Sequence, residues 1–429
     1  MRDSTSDEER VEELVKQCKT DPTSVPTDEL RAVLRSTDGE TVQKIGAVFV
    51  RLAQTAPLKA AEVSESAWAA TTTDDPKVCK IIAVGMCRIC ENHPHEIESI
   101  RDDIPLLLDD LTAELDSFDL FTAPEKTPTE TFTALAAVIE LAYHFEQNDI
   151  RILPEIVDTI AQFLSMRCTP KLRQLTLTAI DLLGKKDPEL LFEYTQALET
   201  VASPAPTAED ERIQEWIGQP DRTMRLDIQH LATRTIQNIA SADSSEVRHC
   251  VDTLAECLSA EHQLIRASAA YALAEIGYDY PSETRVAVDK LRDLLHDSHS
   301  SVVFYSAYAL GEIAKEYPDE VLPCYDTIAE DISTGFEGDL INHTHVLDVL
   351  ASHYPSEVRS IAEEVIKHIR DDRMLVRKNV VSYFDHLQPT FPELVAEHIE
   401  LFEERLDDPS EEVSSIAADV VSTYENSHS

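Results

Sequence analysis

The sequence predicts an all-α solenoid of about ten two-helix repeats, and three observations lead there. A 37-residue step runs through the C-terminal half: Tyr280-Pro281-Ser282-Glu283, Tyr317-Pro318-Asp319-Glu320, Tyr354-Pro355-Ser356-Glu357 and Phe391-Pro392-Glu393-Leu394 are near-copies, with prolines at 281, 318, 355 and 392. Only 9 of the 429 residues are glycine, which disfavours tight β-hairpins and glycine-rich phosphate loops. A single hydrophobic core stops growing near ~250–300 residues, so a chain of this length makes several domains or a quasi-one-dimensional stack. A fixed internal period selects the stack.

The first helix of each unit follows from its apolar spacing. Val302, Tyr305, Ser306, Ala309, Leu310 and Ile313 recur at i, i+3 and i+4, which makes one amphipathic helix. The 37-residue step joins Ile265, Val302, Val376 and Val413, with Asp339 the odd member of that column. It also joins Leu273, Leu310, Leu347 and Phe384, and then Ile276, Ile313, Leu350 and Leu387; one step upstream it reaches Ile228, Ile236 and Ile239. The second helix opens on proline, whose missing N–H costs nothing at a helix start. After Pro318 it buries Val321, Cys324, Tyr325, Ile328 and Ile332. Polar turns, Asp297-Ser298-His299-Ser300 and Asp407-Asp408-Pro409-Ser410, separate the units.

The remaining elements follow in order. Residues 1–35 form an acidic N-terminal segment with capping helices, and 36–202 hold weaker repeats such as Val42…Pro57 and Val78…Pro94, whose prolines are again 37 apart. Helical pairs follow at about 129–167 and 170–202. Proline-rich insertions break the stack at 116–128 and 203–221, the latter with a short helix-like run Ile213–Ile217 that includes Trp216. Residues 222–429 carry the regular repeats and end in a half-repeat cap at 411–427.

A two-helix unit with proline opening its second helix resembles HEAT repeats, in the short bilin-lyase-type variant. The family's Asp…Val-Arg signature fits Asp371…Val376-Arg377 well and Ile265-Arg266 in part. The resemblance implies a right-handed solenoid whose second helices line the concave side. It also implies a scaffold that holds other proteins, as HEAT repeats do in signalling, trafficking and chromosome assemblies.

Charge narrows the function further. There are 81 Asp and Glu against 37 Lys and Arg, a net charge of −44, and Arg outnumbers Lys by 23 to 14. Self-repulsion of that size is tolerable where ions screen it. The pattern resembles proteins of salt-accumulating halophilic archaea, so a signalling or taxis complex of such a cell is one setting. Nucleic-acid binding needs a basic footprint, and Arg222/Arg225 and Arg377/Lys378 are too few to supply one. No secretory signal stands at the N-terminus, and the uncharged run Thr131–Ile139 is far short of a membrane span. Eight cysteines do not make a disulfide scaffold. A cytoplasmic protein is expected.

Candidate chemistry is sparse. Cys87 and Cys90 with His93 and His95 put four ligand-type residues inside nine positions, the best metal candidate. Aligning Pro94 with Pro318 sets Cys87 opposite Gly311 and Cys90 opposite Ala314, so both thiols are expected to serve as small core residues. Cys79, Cys168, Cys250, Cys257 and Cys324 are expected in the core as well. His343 and His345, two apart on a helix, point in different directions and cannot share a metal. His296 and His299 flank a turn and are expected in solvent. Iron hydroxylases built from HEAT repeats use paired His-Glu dipeptides, and only His95-Glu96 occurs here. No P-loop, dinucleotide fingerprint or nucleophile elbow is present. The expectation is a scaffold with no cofactor, the alternative being a bilin-lyase-like or metal-dependent repeat enzyme.

Two surfaces stand out. On the second helices the step repeats a carboxylate, Asp252, Asp289, Asp326, Glu363 and Glu400, with Glu256, Asp293, Glu330, Lys367 and Glu404 beside it. On the first helices Phe304 and Tyr308 lie about 150° from the buried arc, with Tyr271 one repeat back and Ile341 and His345 one repeat on. Concentrated salt screens carboxylates but strengthens apolar burial. The ridge Tyr271, Phe304, Tyr308 and Ile341 is therefore the expected partner site, and the acidic ribbon serves mainly for solvation.

Overall fold

The computed structural model describes residues 4–35, 39–71, 75–116, 129–165, 168–204, 222–334 and 340–428. These residues form helices and turns with no strand. The insertions expected at 116–128 and 203–221 fall almost wholly outside the described residues, and the run Ile213–Ile217 with Trp216 lies entirely outside them. The chain divides into two compact units, Met1–Val201 with Ala205–Thr235 and Ala202–Pro204 with Ile236–Ser429.

In the first unit the helices α1 (Ser4–Thr20), α2 (Gly39–Thr55), α3 (Pro76–Cys90), α4 (Thr129–Gln147) and α5 (Pro170–Lys186) stack in sequence order, each on the next. The helix α6 (Arg222–Ala242) contributes residues to both units. In the second unit the same stack runs through α7 (Gln263–Asp279), α8 (Ser300–Ala314), α9 (Leu340–His353), α10 (Met374–Leu387) and α11 (Glu411–His428). Sequential stacking of this kind is an all-α solenoid. The columns read from the sequence are its core: Ile265, Val302, Val376 and Val413 are buried, as are Leu273, Leu310, Leu347 and Phe384. Ile236 and Ile239 are buried too, whereas Ile228 is half-buried.

The hairpin turns share one backbone geometry. A residue before proline is pushed out of the helical region, and Tyr280, Tyr317, Tyr354 and Phe391 all take φ between −124° and −134° with ψ between 55° and 65°. Proline thus ends one helix and begins the next. The less regular pair near 129–167 keeps a proline, Pro154, at the second position of its second helix, but a longer turn separates it from the first helix, which ends at Gln147. There Asp149 turns the chain at φ 62°, and the buried Glu146 carboxylate accepts from the Ile152 and Leu153 amides at 2.8 and 3.0 Å.

The second helices depart from expectation. Pro318 opens only Pro318–Val321, a 3₁₀ turn Leu322–Cys324 follows, and Tyr325–Thr334 completes the path. The repeats at 281–296 and 355–368 are segmented in the same way. Pro323 removes a donor inside the first of these 3₁₀ turns. Val321, Cys324, Ile328 and Ile332 are buried as expected, while Tyr325 is half-buried and its hydroxyl lies 2.6 Å from Ser360 Oγ.

Two polar ladders join successive repeats. The Arg377 guanidinium donates to Asp408, 31 residues on, at 2.8 and 2.9 Å, and to the carbonyls of Asp371 and Asp372. Arg266 repeats the arrangement on Asp297 and on the carbonyls of Ala260 and Glu261. The turns read as merely polar therefore carry the clamp, and Asp408 is buried by it. On the other ladder Asn342 Nδ2 donates to the Phe304 carbonyl at 2.9 Å, and Asn379 Nδ2 to the Ile341 carbonyl at 3.0 Å.

Candidate functional site

The expected ridge is a half-buried band rather than an exposed one. Tyr271, Phe304, Tyr308 and Ile341 are each partly covered. Tyr271 of α7 stacks on Tyr305 of α8 with ring centroids 4.7 Å apart, and Phe304 meets the same ring edge-on at 5.2 Å. The cause is spacing between helices. Phe304 and Tyr308 do face away from the arc their own helix buries, but the neighbouring first helix reaches them.

Behind the band lies a row of titratable groups that crosses four helices. Burial raises the Glu275 carboxyl, against the hydroxyls of Tyr271 and Tyr308, which favour its charged form. Burial also pushes the Glu312 carboxyl up, but hydrogen bonds from His345 and Lys315 outweigh it and hold the group below the usual range. Lys315 Nζ is 2.5 Å and His345 Nε2 3.4 Å from Glu312. His386 Nε2 stands 3.5 Å from Asp348, whose carboxyl burial raises. Gly311 makes room for this row, since a Cβ there would lie 2.6 Å from His345 Cδ2. As expected, His343 points elsewhere. It is buried, its Nε2 is 3.7 Å from Asp331 Oδ2 without a hydrogen bond, and burial lowers its pKa to about 4.

The acidic ribbon is exposed at Asp252, Asp289, Asp326, Glu363 and Glu400 alike. Asp289 pairs with Arg292 at 2.9 Å and Glu363 with His398 at 3.4 Å. Glu363, Glu397 and His398 bring one donor atom each within 4.8 Å of one another, on the exposed side of the repeats.

The sequence's best metal candidate is not assembled. Cys87 and Cys90 are buried inside α3, and Cys87 Sγ lies 3.7 Å from the Ala137 carbonyl. Burial raises both thiols, Cys90 to about 12, the reverse of what a metal-binding thiolate needs. His93 is half-buried in the turn, and His95 is exposed beside Glu98 at 3.2 Å. All eight cysteines are buried, and none forms a disulfide. The basic pair Arg377/Lys378 is spent on Asp408 and on Glu412, the latter at 2.6 Å. Among the described residues no helix is long and apolar enough to cross a membrane.

The sequence reading missed a cleft of about 500 Å³ between the hairpin turns that follow α6 and α7. Ser241, Asp243, Glu275, Tyr278, Asp279 and Tyr280 line it. Tyr278 is 66% exposed, far more than any member of the band. No pattern could have flagged it, because its column holds Ser241, Tyr278, Lys315 and Ser352.

Residues 227–369 match the family model described as Cnd1, non-SMC mitotic condensation complex subunit 1. No curated protein matches the chain. Among solved structures, a designed armadillo repeat protein in complex with the peptide (KR)4 is 16% identical, with a TM-score of 0.42 over 48% of this chain and 95% of that one. A Kap121p mutant is 14% identical, with a TM-score of 0.41 over 93% of this chain; the match spans 42% of the Kap121p chain.

Proposed function

We propose that this chain is a non-enzymatic scaffold that holds protein partners along its repeats. The observation that carries the reading is the unit Ile236–Ser429. Five first helices stack there in sequence order, and side-chain clamps from Arg266 and Arg377 brace two of the joints between repeats, which sets the first helices side by side along one face. A surface of that form offers many weak contacts in register, which suits a protein segment better than a small substrate. The partner lies on the first-helix side, along Tyr271, Phe304, Tyr308 and Ile341, where burying the half-covered rings and Ile341 stabilises the complex. The ribbon of Asp252, Asp289, Asp326, Glu363 and Glu400 keeps the opposite side solvated.

The match of residues 227–369 to a condensation-complex subunit favours an assembly that organises chromosomes over a signalling or taxis complex. Cross-linking with mass spectrometry in the native cell tests the reading. Links from Lys290, Lys315 or Lys378 to one recurrent protein are expected, and links confined to this chain itself would contradict it.

A further inference from the structure

The cleft between the turns after α6 and α7 has a counterpart one unit earlier, and the pair differ in a telling way. A cleft of about 290 Å³ lies between the turns after α2 and α3 and is lined by Ala53, Gln54, Pro57, Arg88, Glu91 and Asn92. Counting back six residues from the prolines at 94 and 281 sets Arg88 and Glu275 at equivalent positions. By the same count Glu91 corresponds to Tyr278 and Asn92 to Asp279. The earlier cleft thus carries its own cation, with Arg88 bound to Glu91 at 2.7 Å. The later one has a carboxylate where that arginine would be, and an exposed ring where its partner acid would be.

Among the described residues no cation pairs with the carboxylates of the later cleft. Asp243 accepts from the amide and hydroxyl of Ser245, and Asp279 from the Ser244 hydroxyl at 2.6 Å. Glu275 faces the hydroxyls of Tyr271 and Tyr308. The nearby cations are engaged with other acids, Arg248 with Glu283 and Lys315 with Glu312. Both tyrosines of the cleft already associate with cations of this chain. The Arg248 guanidinium is 4.2 Å from the Tyr280 ring centroid, and Lys315 Nζ is 5.2 Å from that of Tyr278. The three carboxylates do not converge as inorganic-cation ligands do, and are absent from the groups whose donor atoms lie within 4.8 Å. Carboxylates that do not converge as a group of three, flanking an aromatic face, suit a guanidinium or an ammonium on an alkyl stem.

We propose that the cleft of Asp243, Glu275, Tyr278 and Asp279 receives an arginine or lysine side chain from a basic segment of a protein partner. The cation takes the place that Arg88 fills in the earlier cleft. Glu275 also faces Tyr271 and Tyr308, so the cleft adjoins the aromatic band and one segment can engage both. This deepens the scaffold reading and rests on it.

The test is fluorescence anisotropy on the full chain with a labelled nonapeptide carrying a central Lys-Arg pair. A control peptide replaces the pair with acetyl-lysine and citrulline. Titrations at ~0.15 M and ~1 M KCl separate the site from general attraction to an acidic protein. Tyr278→Ala and Glu275→Arg, the latter restoring the residue of the earlier cleft, are each expected to weaken binding about tenfold or more. Tyr278→Phe, and the ribbon variant Asp326→Asn/Glu363→Gln, are expected to bind like wild type. The neutral peptide should bind at least about tenfold more weakly. Unchanged far-UV circular dichroism qualifies each variant.

The proposal is overturned if Tyr278→Ala and Glu275→Arg bind as tightly as wild type, or if the ribbon variant loses as much as they do. It is also overturned if spermidine binds more tightly than the peptide, which would make the cleft a polyamine site. A cleft variant that fails on the peptide but keeps its cross-linked partner in cells would sink this proposal alone and leave the scaffold standing.

Discussion

The guanidinium of Arg248 lies 4.2 Å from the ring centroid of Tyr280, and the same side chain holds Glu283 three residues further on. The arrangement recurs one repeat later. Arg285 lies 4.8 Å from the Tyr317 ring and 2.5 Å from Glu320, and Arg359 again covers Phe391 at 4.4 Å. At the intervening repeat Leu322 stands where the arginine would be, and the Tyr354 hydroxyl donates to Asp319 instead. The tyrosine that ends a first helix is therefore also the platform for the preceding repeat. Tyr280→Ala is expected to lower the thermal midpoint by about 1–2 °C, while Tyr280→Phe, which keeps the ring, leaves it unchanged. A larger loss in Tyr280→Phe would show that the hydroxyl matters more than the ring.

The Arg377–Asp408 clamp is the most buried ion pair in the second unit. Removing Arg377 leaves the buried Asp408 carboxylate with only Arg405, at 3.3 Å, and the Ser410 amide to compensate its charge. Arg377→Ala is expected to cost about 3 kcal/mol in urea unfolding, with the double variant Arg377→Met/Asp408→Leu costing clearly less. Arg377 and the backbone amide of Ser410 hold the Asp408 carboxyl below its ordinary value, although burial opposes them. Its contribution is thus present above the carboxylate range and is lost as the pH falls through the folded pKa. Equal losses in the single and double variants would contradict the clamp.

His343 supplies a pH dependence in a different window. Its folded pKa is lowered to about 4 by burial, while an unfolded histidine titrates near 6.5. The unfolded chain therefore binds the proton first as the solution is acidified. Stability from the neutral buried ring is full above pH ~6.5 and declines down to pH ~4, by roughly 3 kcal/mol at most. His343→Leu is expected to flatten the stability profile in that window. A profile of unchanged slope in the variant would place the titration elsewhere.

Salt tests the meaning of the charge. With a net charge of −44 and every carboxylate of the second-helix ribbon exposed, repulsion is least screened in dilute buffer. The thermal midpoint should rise steeply from ~0.1 to ~2 M KCl. A flat midpoint would remove the link between composition and concentrated salt.

How much of this was legible in the sequence depended on distance along the chain. Prolines at a fixed step marked the hairpins, because proline and the residue before it constrain the backbone locally. Burial of Leu273, Leu310, Leu347 and Phe384 followed from the spacing within one helix. The exposure of Phe304 and Tyr308 did not. A single helix reveals its own buried arc but not the neighbours packed on its other side, here Tyr271 of the preceding first helix, stacked on Tyr305, and Asn342 of the following one, bonded to the Phe304 carbonyl. Asp408 read only as part of a polar turn because its arginine is 31 positions away. The cleft around Tyr278 was hidden for the same reason, since it forms only where two hairpin turns meet.

The most direct test of the scaffold reading sets the two faces of the repeats against each other. Phe304→Ser/Tyr308→Ser and Asp326→Asn/Glu363→Gln, each first matched to wild type in thermal midpoint, serve as baits in native cells at native salt. The predicted result is loss of the recurrent partner from the Phe304/Tyr308 variant and its retention by the Asp326/Glu363 variant. Retention by the first and loss from the second would show that partners dock on the carboxylate ribbon, and would contradict the assignment made here.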